Sequence, residues 1–271
     1  MASPNEQPRL LKLFEGISPE EHSTKWAKCW EDKFTPWDRG GPSMALYDLL
    51  RESPNGVIPL PREGSPKTAL VPGCGRGYDV LLLSSFGYNV YGLDVSSQAL
   101  DAAKENAERV LKEGLLLYET EGSKRGAIAW ICQDFFAEEW EDVQTPFDLI
   151  FDYTFFCALP SPMRPAWASK MKSLLSPGGR LVCLEFPSAK RSNEPGPPWA
   201  APPTEYLGYL SNPGCQPRTN EHGGVIPGQT ESLVPGGLKR LLHMKPKRTH
   251  ESGTKDGRVQ DYISVWAHAS E

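Results

Sequence analysis

Thr68-Ala69-Leu70-Val71-Pro72-Gly73-Cys74-Gly75-Arg76-Gly77-Tyr78 decides the fold. Thr68 to Val71 is a short apolar run that reads as a strand and ends in Pro72-Gly73. A helical pattern follows from Asp79 to Ser85. Glycines at a strand-to-helix turn let the backbone reverse sharply and let a ligand approach the main chain. A dinucleotide fingerprint would need GxGxxG, but Tyr78 holds the sixth position and the glycines fall as GxGxG. That spacing suits S-adenosylmethionine better than NAD, although a plain tight turn reads the same way from the loop alone.

Working outward, Asn89 to Leu93 is a second strand ending at Asp94, and Ser96 or Ser97 caps the helix after it. Leu100, Ala103, Ala107 and Leu111 keep helical spacing along that helix. Ala127–Cys132, Phe147–Tyr153 and Leu181–Phe186 are further strands. Arg164–Leu175 is a helix that Ser176-Pro177-Gly178-Gly179 stops. Strands alternating with helices predict an α/β fold, a doubly wound, mostly parallel sheet with helices on both faces. Tyr262, Ile263, Val265 and Trp266 have strand character near the end of the chain.

The 271 residues read as one domain with two additions. Residues 1–45 form a helical N-terminal extension, with Ser18 as N-cap, Pro19 at the first helical position, and a further helix over Ser43 to Arg51. The segment 187–237 holds 10 of the 26 prolines and 8 of the 25 glycines, so little regular structure is expected there. A loop of that length is a lid, a binding loop or disordered. Composition narrows the function. With 39% hydrophobic and 23% charged residues a normal core is available, and the net charge of −5 disfavours a nucleic-acid track. Neither the six cysteines nor the five histidines show metal-ligand spacing, so no metal is expected. The chain shows no signal peptide or membrane span, so the expectation is a cytoplasmic protein with free thiols.

Four groups of residues could carry chemistry. Asp94 lies about twenty residues beyond Gly73, where a carboxylate accepts ribose hydroxyls; the bland account is a cap on the helix after it. Asp134 and Phe135 follow the third strand, where Asp134 could accept from an adenine amino group and Phe135 could pack on the ring; an ordinary turn fits the spacing equally well. Phe151, Tyr153, Phe155 and Phe156 run from a buried strand into a loop at the same sheet edge, either as aromatic faces for a cationic sulfonium or as core. Trp26 and Trp30 share a helix face and Trp37 follows, either packing on the sheet or closing over a methyl donor.

Several runs resemble the thiopurine S-methyltransferase superfamily. They are Trp26-x-x-x-Trp30-Glu31, Thr35-Pro36-Trp37-Asp38, Leu70 to Gly75, Gly92-Leu93-Asp94, Phe147 to Tyr153 with Phe155-Phe156-Cys157-Ala158, and Met163 to Ala168. The nearest branch is the plant and fungal thiol, thiocyanate and halide methyltransferases. The resemblance spans roughly residues 20 to 187. It implies the class I methyltransferase fold, S-adenosyl-L-methionine as donor and S-adenosyl-L-homocysteine as product. It also implies that Trp26, Trp30, Trp37, Gly73, Asp94, Asp134, Phe135 and Tyr153 line the cofactor site. Gly196-Pro197-Pro198-Trp199 is similar to the family's segment beside the acceptor, whereas Thr204 to Gly237 is longer than in the plant members.

The expected function is transfer of a methyl group to a small thiol or other soft nucleophile, by a chain expected to be monomeric. The substrate pocket is expected at Phe156, Arg164 and Trp199. Arg164 either steadies an anionic acceptor or forms a salt bridge. A thiol ionises not far above neutrality, so no general base is compulsory and no catalytic residue is assigned. Oxygen and nitrogen acceptors, which normally need a positioned base, remain open. So does a catalytically silent binding protein of the same fold. The missing GxGxxG argues against a nicotinamide oxidoreductase.

Overall fold

In the computed structural model, described over residues 6–62, 64–115, 125–141, 143–226 and 236–269, strand β1 (Thr68–Pro72) lies inside the sheet, between two parallel neighbours. Ala69 to Pro72 are all buried, as a strand covered on both sides must be. Around it are β2 (Asn89–Asp94), β3 (Ile128–Cys132), β4 (Phe147–Tyr153), β5 (Leu175–Glu185), β6 (Leu238–Met244) and β7 (Tyr262–His268). A two-residue hairpin, Thr254–Lys255 with Arg258–Val259, stands apart and is left unnumbered. The spatial order is β3-β2-β1-β4-β5-β7-β6. The first five strands are parallel, and β7 runs antiparallel to both β5 and β6.

From β1 the chain travels one way through α4 (Tyr78–Ser85), β2 and α5 (Ser97–Lys112) to β3. It then crosses to β4 and travels the other way through α6 (Arg164–Leu174) to β5. Right-handed crossovers therefore set α4 and α5 on one face and α6 on the other. The reversal between β1 and β4 opens a crevice outside their carboxyl ends. Register aligns that edge: Asp94 faces Cys132, and Tyr153 faces Leu184.

Local chemistry explains the element ends. Ser96 caps α5 by accepting from Ala99 N at 3.2 Å, and Ser43 caps α3 (Met44–Glu52) by accepting from Leu46 N at 3.2 Å. Pro19 begins a single 3-10 turn ahead of α2 (His22–Glu31). Helix α6 stops at Leu174, as the Ser-Pro-Gly-Gly run predicts, but that run is taken into β5. Leu175 pairs with Phe147 and pairing resumes only at Arg180 opposite Leu149, so the run between them is an irregularity within the strand, exposed at Pro177 and Gly178.

Three elements were not legible in the sequence. Helix α1 (Glu6–Phe14) packs Leu10 and Phe14 with Cys29 and Phe34 into a satellite cluster. Edge strand β6 carries Lys239, Arg240 and His243 and has one neighbour, so it lacks the apolar alternation of a covered strand. Helix α7 (Pro203–Ser211) lies inside the Pro/Gly-rich segment, of which 227–235 fall outside the described residues.

Helix α7 is tied to α6 by an ion pair in the core. Arg164 Nη1 meets Glu205 Oε2 at 3.2 Å, and Arg164 Nε donates to Leu159 O at 3.0 Å. The side chains are 3% and 4% exposed. Burial pushes the Glu205 carboxyl up, against the lowering field of Arg164. Removing one member of such a pair leaves an uncompensated buried charge. Arg164→Met is expected to cost about 3–5 kcal/mol in denaturant unfolding, with Arg164→Met/Glu205→Gln recovering much of the loss.

Candidate functional site

The glycine loop is held by the strand beside it. Cys74 N donates to Leu93 O at 2.9 Å, and Gly75 N donates to Asp94 Oδ2 at 3.0 Å. Ser96 N donates to Asp94 Oδ1 at 3.0 Å. Asp94 thus ties the end of β2 to the loop after β1 and to the start of α5. Burial raises its carboxyl to about 6, although three backbone N–H groups pull it down. Each oxygen still has lone pairs to offer a ligand. Gly73 has φ +59°, and a Cβ there would lie 2.6 Å from the Phe155 ring.

In front of this loop lies a cavity of about 430 Å³. Trp26, Trp30, Trp37, Gly73, Asp94, Asp134 and Phe135 all line it. The tryptophans form one edge-to-face set, with Trp26–Trp37 centroids 4.9 Å apart and Trp30–Trp37 6.1 Å apart. Asp134 accepts from Phe136 N at 2.8 Å and from the Ser23 hydroxyl of α2. It therefore makes the ordinary turn and also anchors the N-terminal extension beside the cavity. Phe135 packs on Phe155 at 4.9 Å. Tyr153 lines a smaller space of about 70 Å³ behind the loop, which shares Trp30, Trp37, Arg39, Gly73, Gly75 and Thr154 with the large cavity.

A family model for thiopurine S-methyltransferase matches residues 21–234. The chain belongs to this family. A probable thiol methyltransferase 2 from Arabidopsis thaliana is 40% identical over 194 residues, 72% of this chain and 74% of that protein. A thiocyanate methyltransferase 1 from Brassica oleracea is 39% identical over 187 residues, 68% of this chain and 70% of that protein. A solved magnesium protoporphyrin IX methyltransferase from Synechocystis, with bound S-adenosylhomocysteine, has a TM-score of 0.51 at 13% identity. It covers 96% of this chain and 92% of its own, a likeness of fold alone. The seven-stranded sheet is that of class I methyltransferases, and as a family member the chain is a methyltransferase that uses S-adenosylmethionine.

Membership does not fix the acceptor pocket, and the expected trio needs correction. Phe156 is fully buried between Trp167 and Tyr206, with Arg164 4.1 Å above its ring. Both Phe156 and Arg164 lie in the α6–α7 core and line neither cavity. The β4–α6 loop turns Phe156 inward and Phe155 outward, and the spacing alone did not distinguish them. Trp199 packs at 6.2 Å from Phe14 and 5.4 Å from His22, while its neighbours Pro197 and Pro198 reach the large cavity. Asp152 accepts from Phe156 N at 3.0 Å and Trp167 Nε1 at 2.8 Å, so it closes the strand end.

The cavity also recruits residues that carried no sequence signal. Gln7 and Leu10 come from α1, His22 and Ser23 from α2, and Lys190 from the Pro/Gly-rich segment. Arg39 and Ser252 join from two loops far apart in the chain. Residues 147–157 contain no His, but His22 stands in the cavity wall. Burial lowers His22, keeping it neutral near pH 7. The Lys190 ammonium donates to Pro195 O and Pro198 O. Cys157 also lines the cavity, with its thiol raised to about 12 by burial, which makes it a poor nucleophile.

The Gly73 geometry can be tested directly. Gly73→Ala must displace Phe155 and hold a side chain at positive φ, so it is expected to lower stability by about 2–4 kcal/mol in thermal melts. Gly16→Ala, with nothing within 4 Å of the added Cβ, should show only the backbone part of that loss.

Proposed function

We infer that this family member moves the methyl group of S-adenosylmethionine to a small thiol or another soft nucleophile. The observation that carries the reading is the joining of two chemistries in one cavity at the sheet's switch point. A carboxylate and left-handed glycines line one end, and an apolar, aromatic wall lines the other. The plant relatives named for thiol and thiocyanate substrates support the acceptor class.

The donor arrives activated, because its sulfonium makes the methyl carbon electrophilic. The chain's residues then have to bind, orient and exclude water. Asp94 is assigned the ribose hydroxyls; Asp134 and Phe135 are assigned the adenine edge and face. Gly73 lets the donor approach the backbone. Trp26, Trp30 and Trp37 offer π faces to a cation, with Tyr153 behind them. Residues 1–45 serve as a lid over the donor, a role supported by the Ser23–Asp134 contact and the tryptophan set. Residues 187–237 contribute to the acceptor wall through Pro187, Lys190, Pro197 and Pro198. Trp199 supports that wall from behind. No residue is assigned as general base, because a thiolate needs none at the transition state.

The chain is read as one methyltransferase domain over 1–271, working as a cytoplasmic monomer on small molecules and not on nucleic acid. Six free cysteines and the net charge of −5 support that setting. Among the described residues, no helix is long and apolar enough to cross a membrane.

Two measurements test the assignment. Asp94→Ala is expected to weaken donor binding roughly tenfold to a hundredfold in calorimetry, with turnover at saturating donor less affected. Because the Asp94 carboxyl is raised to about 6, wild-type donor affinity should fall as pH drops through 6, a step missing from Asp94→Asn. The sign for stability is opposite. A folded-state value above the unfolded one means that this group's contribution is present below about 4 and lost as pH rises through 6. Release of S-adenosylhomocysteine should then be followed across aryl thiols, alkyl dithiols, bisulfide, thiocyanate, iodide, phenols and amines. Turnover of thiols or soft anions is expected; turnover of phenols or amines alone would keep the cofactor and overturn the acceptor class.

A further inference from the structure

Nine buried side-chain nitrogen and oxygen atoms lack a hydrogen-bond partner among the described residues, and four belong to one neighbourhood. They are Arg39 Nε, Tyr153 Oη, His250 Nε2 and Asp261 Oδ1. Tyr153 and His250 stack in parallel, with centroids 5.6 Å apart. The Arg39 charge acts on Tyr153, His250 and Asp261 alike, lowering each, while burial pushes Tyr153 and Asp261 up and His250 down to about 4. The Arg39 guanidinium also lowers Tyr153 through a hydrogen-bonding interaction, but it is too poorly aligned to satisfy the hydroxyl. Buried polar groups are normally paired, so four unpaired atoms in one neighbourhood mark a place for a ligand or water.

We propose that Arg39, backed by Tyr153 and His250, is the binding site for the anionic form of the methyl acceptor, a thiolate, thiocyanate or halide. The inference rests on the reading of this chain as a soft-nucleophile methyltransferase. Position is the first argument. Asp94 and Asp134 stand at the β2 and β3 end of the cavity, which takes the nucleoside. Arg39 lines the large cavity and also the smaller space beside the glycine loop, which Tyr153 reaches and Asp94 and Asp134 do not; it lies over the Phe186 ring at 5.2 Å, beside residues from the ends of β4 and β5 and from the β6–β7 connection. Ser252, from the same connection as His250, also reaches the cavity.

Charge is the second argument. Arg39 lines the large cavity and makes no ion pair among the described residues. The other cations near the site are engaged: Arg76 with Asp38, and Lys190 with two carbonyls. Asp261 supplies a counter-charge without closing the site. Its Oδ2 is occupied by the Thr249 hydroxyl at 2.8 Å, and it lies beyond ion-pair distance of Arg39. An exchangeable anion in an apolar cavity needs such a cation, one whose own counter-ion does not compete at contact distance. Near pH 7 His250 is neutral, so the guanidinium supplies the positive charge.

The test uses the full chain loaded with S-adenosylhomocysteine, with thiocyanate as probe and binding read by calorimetry without turnover. Wild type should bind thiocyanate, and Arg39→Met should weaken it by at least about tenfold, the loss expected for a hydrogen bond to a charged partner. Arg39→Lys should retain most of the affinity. S-adenosylhomocysteine affinity should stay within about twofold in both variants. If wild type binds no thiocyanate, or Arg39→Met binds it as wild type does, the assignment is overturned. Loss of S-adenosylhomocysteine affinity with thiocyanate binding intact would give Arg39 to the donor's carboxylate, which also overturns it. Should Arg39→Met fail to fold, Tyr153→Phe removes one hydroxyl and decides: weaker thiocyanate binding supports the site, and unchanged binding rejects it. The thiol turnover panel is independent of this measurement, so failure of one is distinguishable from failure of the other.

Discussion

The buried carboxylate of Asp94 is the constraint on which the site depends. It receives one N–H from the glycine loop and one from the start of α5, and so fixes three segments relative to one another. Desolvating a carboxylate is costly, and here the raised pKa records that cost. The backbone donors offset part of it. A ligand that brought two hydroxyls to the same oxygens would offset more. The capping account of Asp94 and the proposed ribose role therefore do not exclude one another, because the backbone N–H groups leave lone pairs on the same oxygens.

Around that anchor the aromatic residues divide by direction. Phe155 faces the crevice and bounds the space above Gly73, while Phe156, next in sequence, enters the core between Trp167 and Tyr206. The short 3-10 turn after β4 makes this separation, and Asp152 holds the turn from below. The tryptophans of the N-terminal extension close the cavity from the other side. They are partnered by α1 and Trp199 from regions remote in sequence. A wall built from both ends of the chain gives the cavity a surface that the sheet alone could not provide.

The cavity is polar in two places of different character. Near β2 and β3, carboxylates are already engaged with backbone N–H groups and offer spare lone pairs. Elsewhere on its wall stands the Arg39 guanidinium, backed by the Tyr153 phenol and the His250 ring, which do not themselves line the cavity. That asymmetry fits the proposed reaction, in which a cationic donor meets an anionic acceptor. Between them the lining is largely aromatic and aliphatic, which excludes water from the line of transfer.

The sequence by itself determined the parallel strands of the sheet and the residues at their carboxyl ends. These depend on short-range patterns: apolar runs of strand length, glycines where φ is positive, and an acid placed at the end of the next strand. Gly73, Asp94, Asp134 and Phe135 were legible because each sits within a few residues of a strand terminus, and the parallel topology brings those termini together. Tertiary structure alone decided what surrounds Arg39. Arg39, His250 and Asp261 are separated by up to 222 positions and share no periodicity. Arg164 could steady an acceptor or form a salt bridge by its sequence alone, and Glu205 of an unanticipated helix decides for the salt bridge. Whether a charged side chain faces a cavity or a counter-charge depends on what packs against it from elsewhere in the chain. That information is absent from local spacing and appears only when the segments close on one another.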